Sequence, residues 1–180
     1  MRPFTLALLF FGFIAPAQGS TARRASLQAL VNNSNLITVA TVTARDAFWE
    51  GGRIYTRNTI QLEDVWLSHE VTNFKNAESK DTPPSLELLT LGGVVGDIGQ
   101  KVSGSPQLRL GASYLLFLVQ GNSTQWHVVG LSQGVLQIDG DALVPLPESH
   151  DLHLIGPGSD LPASRIKLRD HVLSTLQDRP

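Results

Sequence analysis

Runs of apolar residues divide the chain into short strands from residue 36 onward. Residues 36–43 read Leu-Ile-Thr-Val-Ala-Thr-Val-Thr, and this density of β-branched residues is typical of a strand. Over residues 54–67, Ile60 and Leu62 alternate with polar neighbours, but the alternation breaks near Asp64, where we expect a β-bulge. The remaining strands are predicted, in chain order, at residues 86–91, 114–119, 126–131, 135–138 and 141–144.

Turn-forming residues separate the predicted strands. Gly51-Gly52 and Asp139-Gly140 each predict a tight hairpin turn. Residues 68–84 are polar and end in two prolines, so they predict a surface excursion. Residues 92–111 form a long glycine-rich connection, and connections of this length tend to be functional or disordered. Its apolar residues predict either a cover over one end of the barrel or a recognition surface.

Helical periodicity is confined to the two ends of the folded part. Residues 21–33 predict a short helix with Thr21 as its N-cap, and residues 162–177 predict a second helix with Pro162 in its first turn. The apolar face of the second helix is predicted to contain Leu168, Val172, Leu173 and Leu176, with Ile166 at its edge. Six or seven strands with helices only at the ends predict a mainly β fold, a small antiparallel barrel or rolled sheet that is OB-like.

The first nineteen residues have the layout of a secretory signal peptide. Arg2 is followed by an unbroken apolar run over residues 4–14 and then by small residues over 15–19. A run of this length is shorter than the roughly 20 residues needed to span a bilayer. We expect cleavage that leaves a chain starting near Gln18 or Ser20. The predicted organisation is a signal peptide at 1–19, a β-barrel-like domain at 20–145, and a crossing segment plus helix at 146–180 that pack on the same domain.

Composition excludes several classes of protein. The chain has no cysteine, which excludes a disulfide scaffold, a lipidated N-terminus, a thiolate nucleophile and a cysteine-ligated metal. An exported protein of this size without cysteine is more typical of a bacterial periplasm or secreted fraction. The 14 basic and 16 acidic residues give a net charge of −2 without a basic stripe, so no nucleic-acid partner is expected. No apolar run after the leader is long enough to embed the chain in a membrane, and no cofactor is predicted.

The order of these features resembles a family of exported bacterial proteins of unassigned function. The similar segments, which cover roughly residues 25–140, are the strands at 36–42 and 54–60, Gly92-Gly93, Gly99-Gln100, Gly104-Ser105-Pro106, the run from Gly111 to Leu118, and residues 129–134. A more distant resemblance is to the five-stranded OB barrel of netrin-like and metalloproteinase-inhibitor domains. Those domains use disulfides and an N-terminal cysteine that chelates the protease metal, so the resemblance implies a fold and not that inhibitory chemistry.

Two motifs carry candidate chemistry. Residues 130–134 match the G-x-S-x-G nucleophile elbow, so Ser132 with a downstream histidine such as His153 is the alternative, catalytic interpretation. A strand rather than a helix is predicted after the motif, which favours a tight turn between strands. His150, Asp151 and His153 form a weak candidate metal cluster in which a third strong ligand is not evident, and no metal is expected.

The favoured candidate site consists of loop residues. Phe48 and Trp49 lie at the tip of the first hairpin, and aromatic side chains there can bury a large area at small entropic cost. The predicted binding residues are Phe48, Trp49, Arg53, Val95, Ile98 and Gln100. We therefore expect an exported, non-enzymatic module that binds an exported protein or another envelope or extracellular component. The alternatives are a small serine hydrolase and a purely structural envelope protein.

Overall fold

The computed structural model describes residues 21–68, 84–121, 125–147, 150, 152–157 and 161–177. The predicted signal peptide, nearly all of the predicted excursion at 68–84, and Asp151 lie outside the described residues. Among the residues described, no helix has the length and apolar composition that crossing a bilayer requires.

Seven strands form the main sheet. They are β2 (Leu36–Glu50), β3 (Arg53–Ser68), β4 (Ser85–Leu91), β7 (Ser113–Gln120), β8 (Trp126–Val128), β9 (Val135–Asp139) and β10 (Ala142–Pro145). Two small sheets accompany it, one of β1 (Thr21–Arg23) with β11 (His153–Ile155) and one of β5 (Gly93–Val95) with β6 (Ile98–Gln100). The helices are α1 (Leu27–Asn32) and α2 (Arg165–Gln177).

Five of the seven strands close into a ring. The sheet order is β10-β9-β7-β2-β3-β4-β8, and β8 pairs back onto β7, so the ring runs β7-β2-β3-β4-β8-β7. The closing pair of β4 with β8 is parallel and joins Leu88 to Trp126, which makes the sheet mixed rather than wholly antiparallel. The predicted fold class, a mainly β barrel or rolled sheet with a helix near each end, is confirmed.

Two apolar clusters lie on opposite faces of the ring strands. Leu116 of β7 belongs to the inner cluster with Ile60 and Trp126, whereas Phe117 belongs to a second cluster with Leu30 of α1 and Leu168 of α2. Both faces of β7 are therefore buried, which explains why this strand is continuously apolar. The two helices cover the outer face that the ring would otherwise expose.

The strand β3 carries the predicted irregularity. Its register against β2 shifts between Ile37/Thr38 and between Val39/Ala40, so that Trp66 and Glu63 are skipped in the backbone ladder with β2. These two bulges flank Asp64, where the alternation of the sequence breaks, and the predicted bulge is confirmed.

The N-terminal helix is shorter than predicted. Thr21 does not cap it, because Thr21–Arg23 is a strand, β1, that runs parallel to β11. The cap is Ser26, whose Oγ accepts a hydrogen bond from Ala29 N–H (3.2 Å). A side-chain oxygen directly before the first helical turn satisfies an amide that has no partner in the helix.

The C-terminal helix also begins later than predicted. It starts at Arg165, where Leu168 N–H donates to the carbonyl of Ser164 (2.9 Å), and Pro162 lies outside it. Leu173, assigned to the apolar face, is 40% exposed, whereas Thr175 is buried. The helix contacts α1 and β3 along a narrower stripe than the sequence indicates.

Candidate functional site

The hairpin of β2 and β3 projects beyond its neighbour β7. The strand β2 pairs with β7 only from Leu36 to Thr41, and its remaining residues up to Glu50 form a ladder with β3 alone. Gly51 and Gly52 close the hairpin with φ values of +56° and +76°. Two successive residues with positive φ are the requirement of a two-residue turn of this kind, and glycine meets it without strain.

A second ribbon, formed by β5 and β6, is fastened to this projecting hairpin close to its turn. Gly92 N–H donates to the Ile54 carbonyl (2.8 Å), and Thr56 Oγ–H donates to the Gly92 carbonyl (2.7 Å). A Cβ placed on Gly93 would lie 2.5 Å from Thr56 Oγ1 and 3.1 Å from Ala47 Cβ, so only glycine permits this approach. The two loops predicted to bind therefore lie at the same end of the molecule. We call residues 48–53 and 93–100 the tip surface.

The tip surface exposes three large apolar side chains. Trp49 is 48% exposed, Val94 is 67% exposed and Ile98 is 55% exposed. Val95, which pairs with Ile98 across the small ribbon, is half-buried. Of the predicted apolar residues, Trp49 and Ile98 are thus accessible, and Val94 is an accessible neighbour that the prediction left out.

Phe48 lies on the other face of the hairpin. Its ring stacks on Tyr55 with centroids 6.1 Å apart, and the Arg57 guanidinium carbon lies 5.0 Å from the Phe48 centroid. Arg57 also approaches Glu87 at 3.4 Å. A half-buried ring covered by a cation stiffens the hairpin, because stacking and cation–π contacts favour one side-chain arrangement.

Two further predicted residues differ in accessibility. Arg53 is exposed at the start of β3 and pairs with Glu50 across the turn. Gln100 is half-buried, and its Oε1 accepts a hydrogen bond from Ile54 N–H (2.6 Å). Arg53 is thus free to contact a partner, whereas Gln100 already joins the two ribbons.

Ser132 lies in a 3₁₀ turn, Leu131–Gly134, that joins β8 to β9. A strand follows the serine, as expected for a turn between strands, and the strand-to-helix geometry of a nucleophile elbow is absent here. The side chain of Ser132 is buried, and its Oγ has no hydrogen-bond partner among the described residues. No described histidine is therefore hydrogen-bonded to it.

Ser132 and His153 nevertheless line the same cleft, which has a volume of about 360 Å³. Arg24 lines this cleft too, and its buried Nε has no partner among the described residues. The sequence offers no signal for Arg24, because it is a single arginine and only the folding of the N-terminal segment brings it to the turn that holds Ser132.

No metal centre is evident in the part of the chain that the structure describes. No three His, Asp or Glu side chains there are arranged to hold a metal ion. His150 and His153 are both exposed, and Asp151, the third member of the candidate cluster, lies outside the described residues.

Comparison with known proteins does not place the chain in a family. No protein-family model matches it, and no curated protein matches it. The resemblance to exported bacterial proteins and to netrin-like barrels therefore stays a prediction.

Proposed function

We propose that the chain is an exported, non-enzymatic module that binds another protein through its tip surface. The observation that carries this proposal is the exposure of Trp49, Val94 and Ile98 on two ribbons that are hydrogen-bonded to each other. Export is supported by the leader-like pattern of residues 1–19.

The chemistry of the exposed residues favours a protein over a saccharide. Val94 and Ile98 are branched aliphatic side chains without hydrogen-bonding groups, and they match an apolar protein surface better than a hydroxyl-rich sugar. Trp49 supplies the large aromatic side chain that often dominates the binding energy of a protein interface. Exposed Glu50 and Arg53 add the polar rim that surrounds such an apolar centre.

The tip surface is also held in place before any partner arrives. The contacts of Gly92, Thr56 and Gln100 join the small ribbon to β3 through three hydrogen bonds. Ordering a loop on binding opposes association, so a surface that is already ordered binds more tightly for the same contact area.

The proposal is tested by capture from the envelope and secreted fractions of the organism that encodes the chain. Three matched baits are used: the wild type, Trp49→Ala and Ile166→Ala. Ile166 is 64% exposed on α2, outside the tip surface, and so controls for loss of an exposed apolar side chain. A protein retained by the wild type and by Ile166→Ala, but not by Trp49→Ala, is then purified and titrated.

For that purified partner we expect Trp49→Ala to weaken binding about 30-fold, the effect of an interface residue worth about 2 kcal/mol. Ile166→Ala should leave the affinity unchanged. Equal retention on all three baits would refute the proposal. Retention of no protein at all would also refute it and would favour a purely structural role in the envelope.

Because Ser132 and His153 line the same cleft, the alternative function is a serine hydrolase with Ser132 as nucleophile and His153 as base. A serine-reactive phosphonate distinguishes the two functions, because a serine without an activating base stays inert. A binding module predicts no labelling. Stoichiometric labelling of Ser132 that is abolished by His153→Gln would favour the hydrolase.

A further inference from the structure

The cleft of about 360 Å³ beside the 3₁₀ turn shares no residue with the tip surface. Its walls come from the N-terminal segment, the 3₁₀ turn, the start of β9 and the strand β11. This volume is within the range of sites that hold small organic molecules. The cleft is therefore large enough for a ligand of its own.

The backbone around the cleft is fixed by a clamp on both sides of Arg24. Gln133 of the 3₁₀ turn accepts a hydrogen bond from Ala25 N–H through Oε1 (2.8 Å) and donates through Nε2 to the Arg23 carbonyl (3.2 Å). Arg24 N–H donates to the Ile155 carbonyl of β11 (2.8 Å). The two Gln133 bonds hold the segment that carries Arg24 against the turn that carries Ser132, and the third bond holds it against β11.

Two residues that line the cleft each carry a buried polar atom without the partner that such atoms normally have. Arg24 Nε and Ser132 Oγ are both buried, and neither has a hydrogen-bond partner among the described residues. Most buried polar atoms in folded proteins are paired, because an unpaired one has lost its hydration without compensation. Arg24 Nε–H can only donate a hydrogen bond, whereas the Ser132 hydroxyl can donate or accept one, so an acceptor such as an oxygen is the kind of partner that would satisfy both.

The rest of the lining narrows the kind of molecule that would supply this oxygen. No Asp or Glu is among the described residues that line the cleft, whereas Arg24 contributes a permanent positive charge. The apolar part of the wall consists of Leu136, Leu152, Leu154, Leu161 and Pro145. A ligand that fits both parts has an anionic oxygen head and an apolar tail.

We propose that this cleft binds a small organic carboxylate with an apolar tail. Its carboxylate accepts hydrogen bonds from the Arg24 guanidinium and from Ser132 Oγ, which is fully buried without a ligand and has to turn toward the cleft when one binds, and its tail lies against the leucines. Hydrogen bonds from a guanidinium to a carboxylate are stronger than those between neutral groups, so the charge of Arg24 supplies most of the selectivity for an anion.

Backbone strain at the turn agrees with a binding role. Leu131, directly before Ser132, has a φ of +60° and is the one non-glycine residue with a positive φ among the residues described. A leucine in the left-handed region is strained, and such residues concentrate at ligand sites and active sites. Ser132 N–H donates to the Gly104 carbonyl (2.8 Å), which holds the strained turn in position.

The test is calorimetric titration of the full exported chain with three probes. Octanoate has both the head and the tail, octan-1-ol has the same tail without the charge, and acetate has the head alone. We expect saturable binding of octanoate, at least about tenfold tighter than that of either other probe, because a charge-assisted hydrogen bond contributes a factor of this size or more. Equal binding of octan-1-ol and octanoate, or no saturable octanoate binding, would overturn the proposal.

Three variants test whether octanoate binds at Arg24 and Ser132. Arg24→Gln should weaken octanoate binding by about 10- to 150-fold, and Ser132→Ala by about 2- to 12-fold. Arg23→Gln is the control, because Arg23 is exposed, does not line this cleft, and is bound to the clamp only through its backbone carbonyl. Octanoate affinity that is unchanged in Arg24→Gln, or reduced as strongly in Arg23→Gln, would contradict the assignment.

Thermal unfolding of Ser132→Ala without a ligand provides a measurement that does not depend on binding. Because Ser132 Oγ has no partner, removing it should leave the melting temperature unchanged or raise it. A clear fall in the melting temperature would show that the hydroxyl is already paired, and would overturn the proposal even if Arg24→Gln failed to fold.

Discussion

Replacing Gln100 by alanine should release the small ribbon of the tip surface from the hairpin. Gln100 Oε1 accepts the hydrogen bond of Ile54 N–H at 2.6 Å, and Ile54 is fully buried. Beyond the last β3–β4 pair, which joins Tyr55 to Leu91, Gly92 N–H still donates to the Ile54 carbonyl, but the acceptor for Ile54 N–H is the Gln100 side chain. The substitution therefore leaves a buried amide without an acceptor.

The size of the effect follows from that unpaired amide. Loss of one partner of a buried hydrogen bond costs about 1–3 kcal/mol. If the ribbon opens locally, this energy raises the open population, and with it the amide exchange rate, by about 5- to 150-fold. The increase should appear at the Ile54 amide and across residues 93–100, because the ribbon is joined to β3 at this point. Amides of β7 should keep their wild-type rates.

Hydrogen exchange followed by mass spectrometry or NMR measures these amide exchange rates directly. Gln100→Glu is the matched control, since a carboxylate oxygen at the same reach can still accept from Ile54 N–H, and it should exchange close to the wild-type rate. Unchanged exchange over residues 93–100 in Gln100→Ala would refute the reasoning. Equal acceleration in Gln100→Glu would show that the hydrogen bond is not what holds the ribbon.

Three other predictions concern the leader, the core and the first helix. Mass spectrometry of the chain made by the organism that encodes it should find an N-terminus near Gln18 or Ser20, and an intact segment 1–17 would contradict the proposed export with cleavage. In urea unfolding, Phe117→Ala should lower the free energy of unfolding by about 3–5 kcal/mol, because Phe117 is fully buried. Leu173→Ala, at a 40% exposed position, should change it by about 0.5 kcal/mol or less. Ser26→Ala should lower the free energy of unfolding by about 1 kcal/mol in the same assay, because it removes the N-cap hydrogen bond of α1. An unchanged free energy would show that Ser26 Oγ does not stabilise the helix.

The strand architecture could be predicted because its signals are local. The continuous apolar run of β7 reflects burial on both faces, and the glycine pair at Gly51-Gly52 specifies its turn by conformation alone. The break in alternation near Asp64 likewise marks two bulges in one strand. Each of these features depends on residues close together in the sequence.

The sequence-based predictions are wrong where contacts between distant segments determine the structure. Thr21–Arg23 is a strand because it pairs with β11, more than 100 residues away, and no local pattern carries that information. Leu173 has the spacing of a buried helix residue, but the stripe that α2 buries is set by α1 and β3.

In the candidate sites too, local features could be predicted from the sequence and tertiary contacts could not. Hairpin chemistry identifies Trp49 at an exposed tip, yet the hydrogen bond between Gln100 and Ile54 that brings the second ribbon beside it is a tertiary contact. The cleft is harder still to predict, because Arg24 and Ser132 are separated by most of the chain and meet through the clamp of Gln133. A sequence motif identifies Ser132 but not the cation that lines the same cleft.

Site-specific photo-crosslinking tests the central claim, that the tip surface contacts a protein partner, most directly. A benzophenone amino acid replaces Trp49 or Ile98 in two variants and exposed Ile166 on α2 in a third, and each is irradiated in the organism that encodes the chain. The account predicts that positions 49 and 98 crosslink to one and the same protein and that position 166 does not. Crosslinking of that protein from position 166 as strongly as from the tip, or no crosslink from positions 49 and 98, would contradict it.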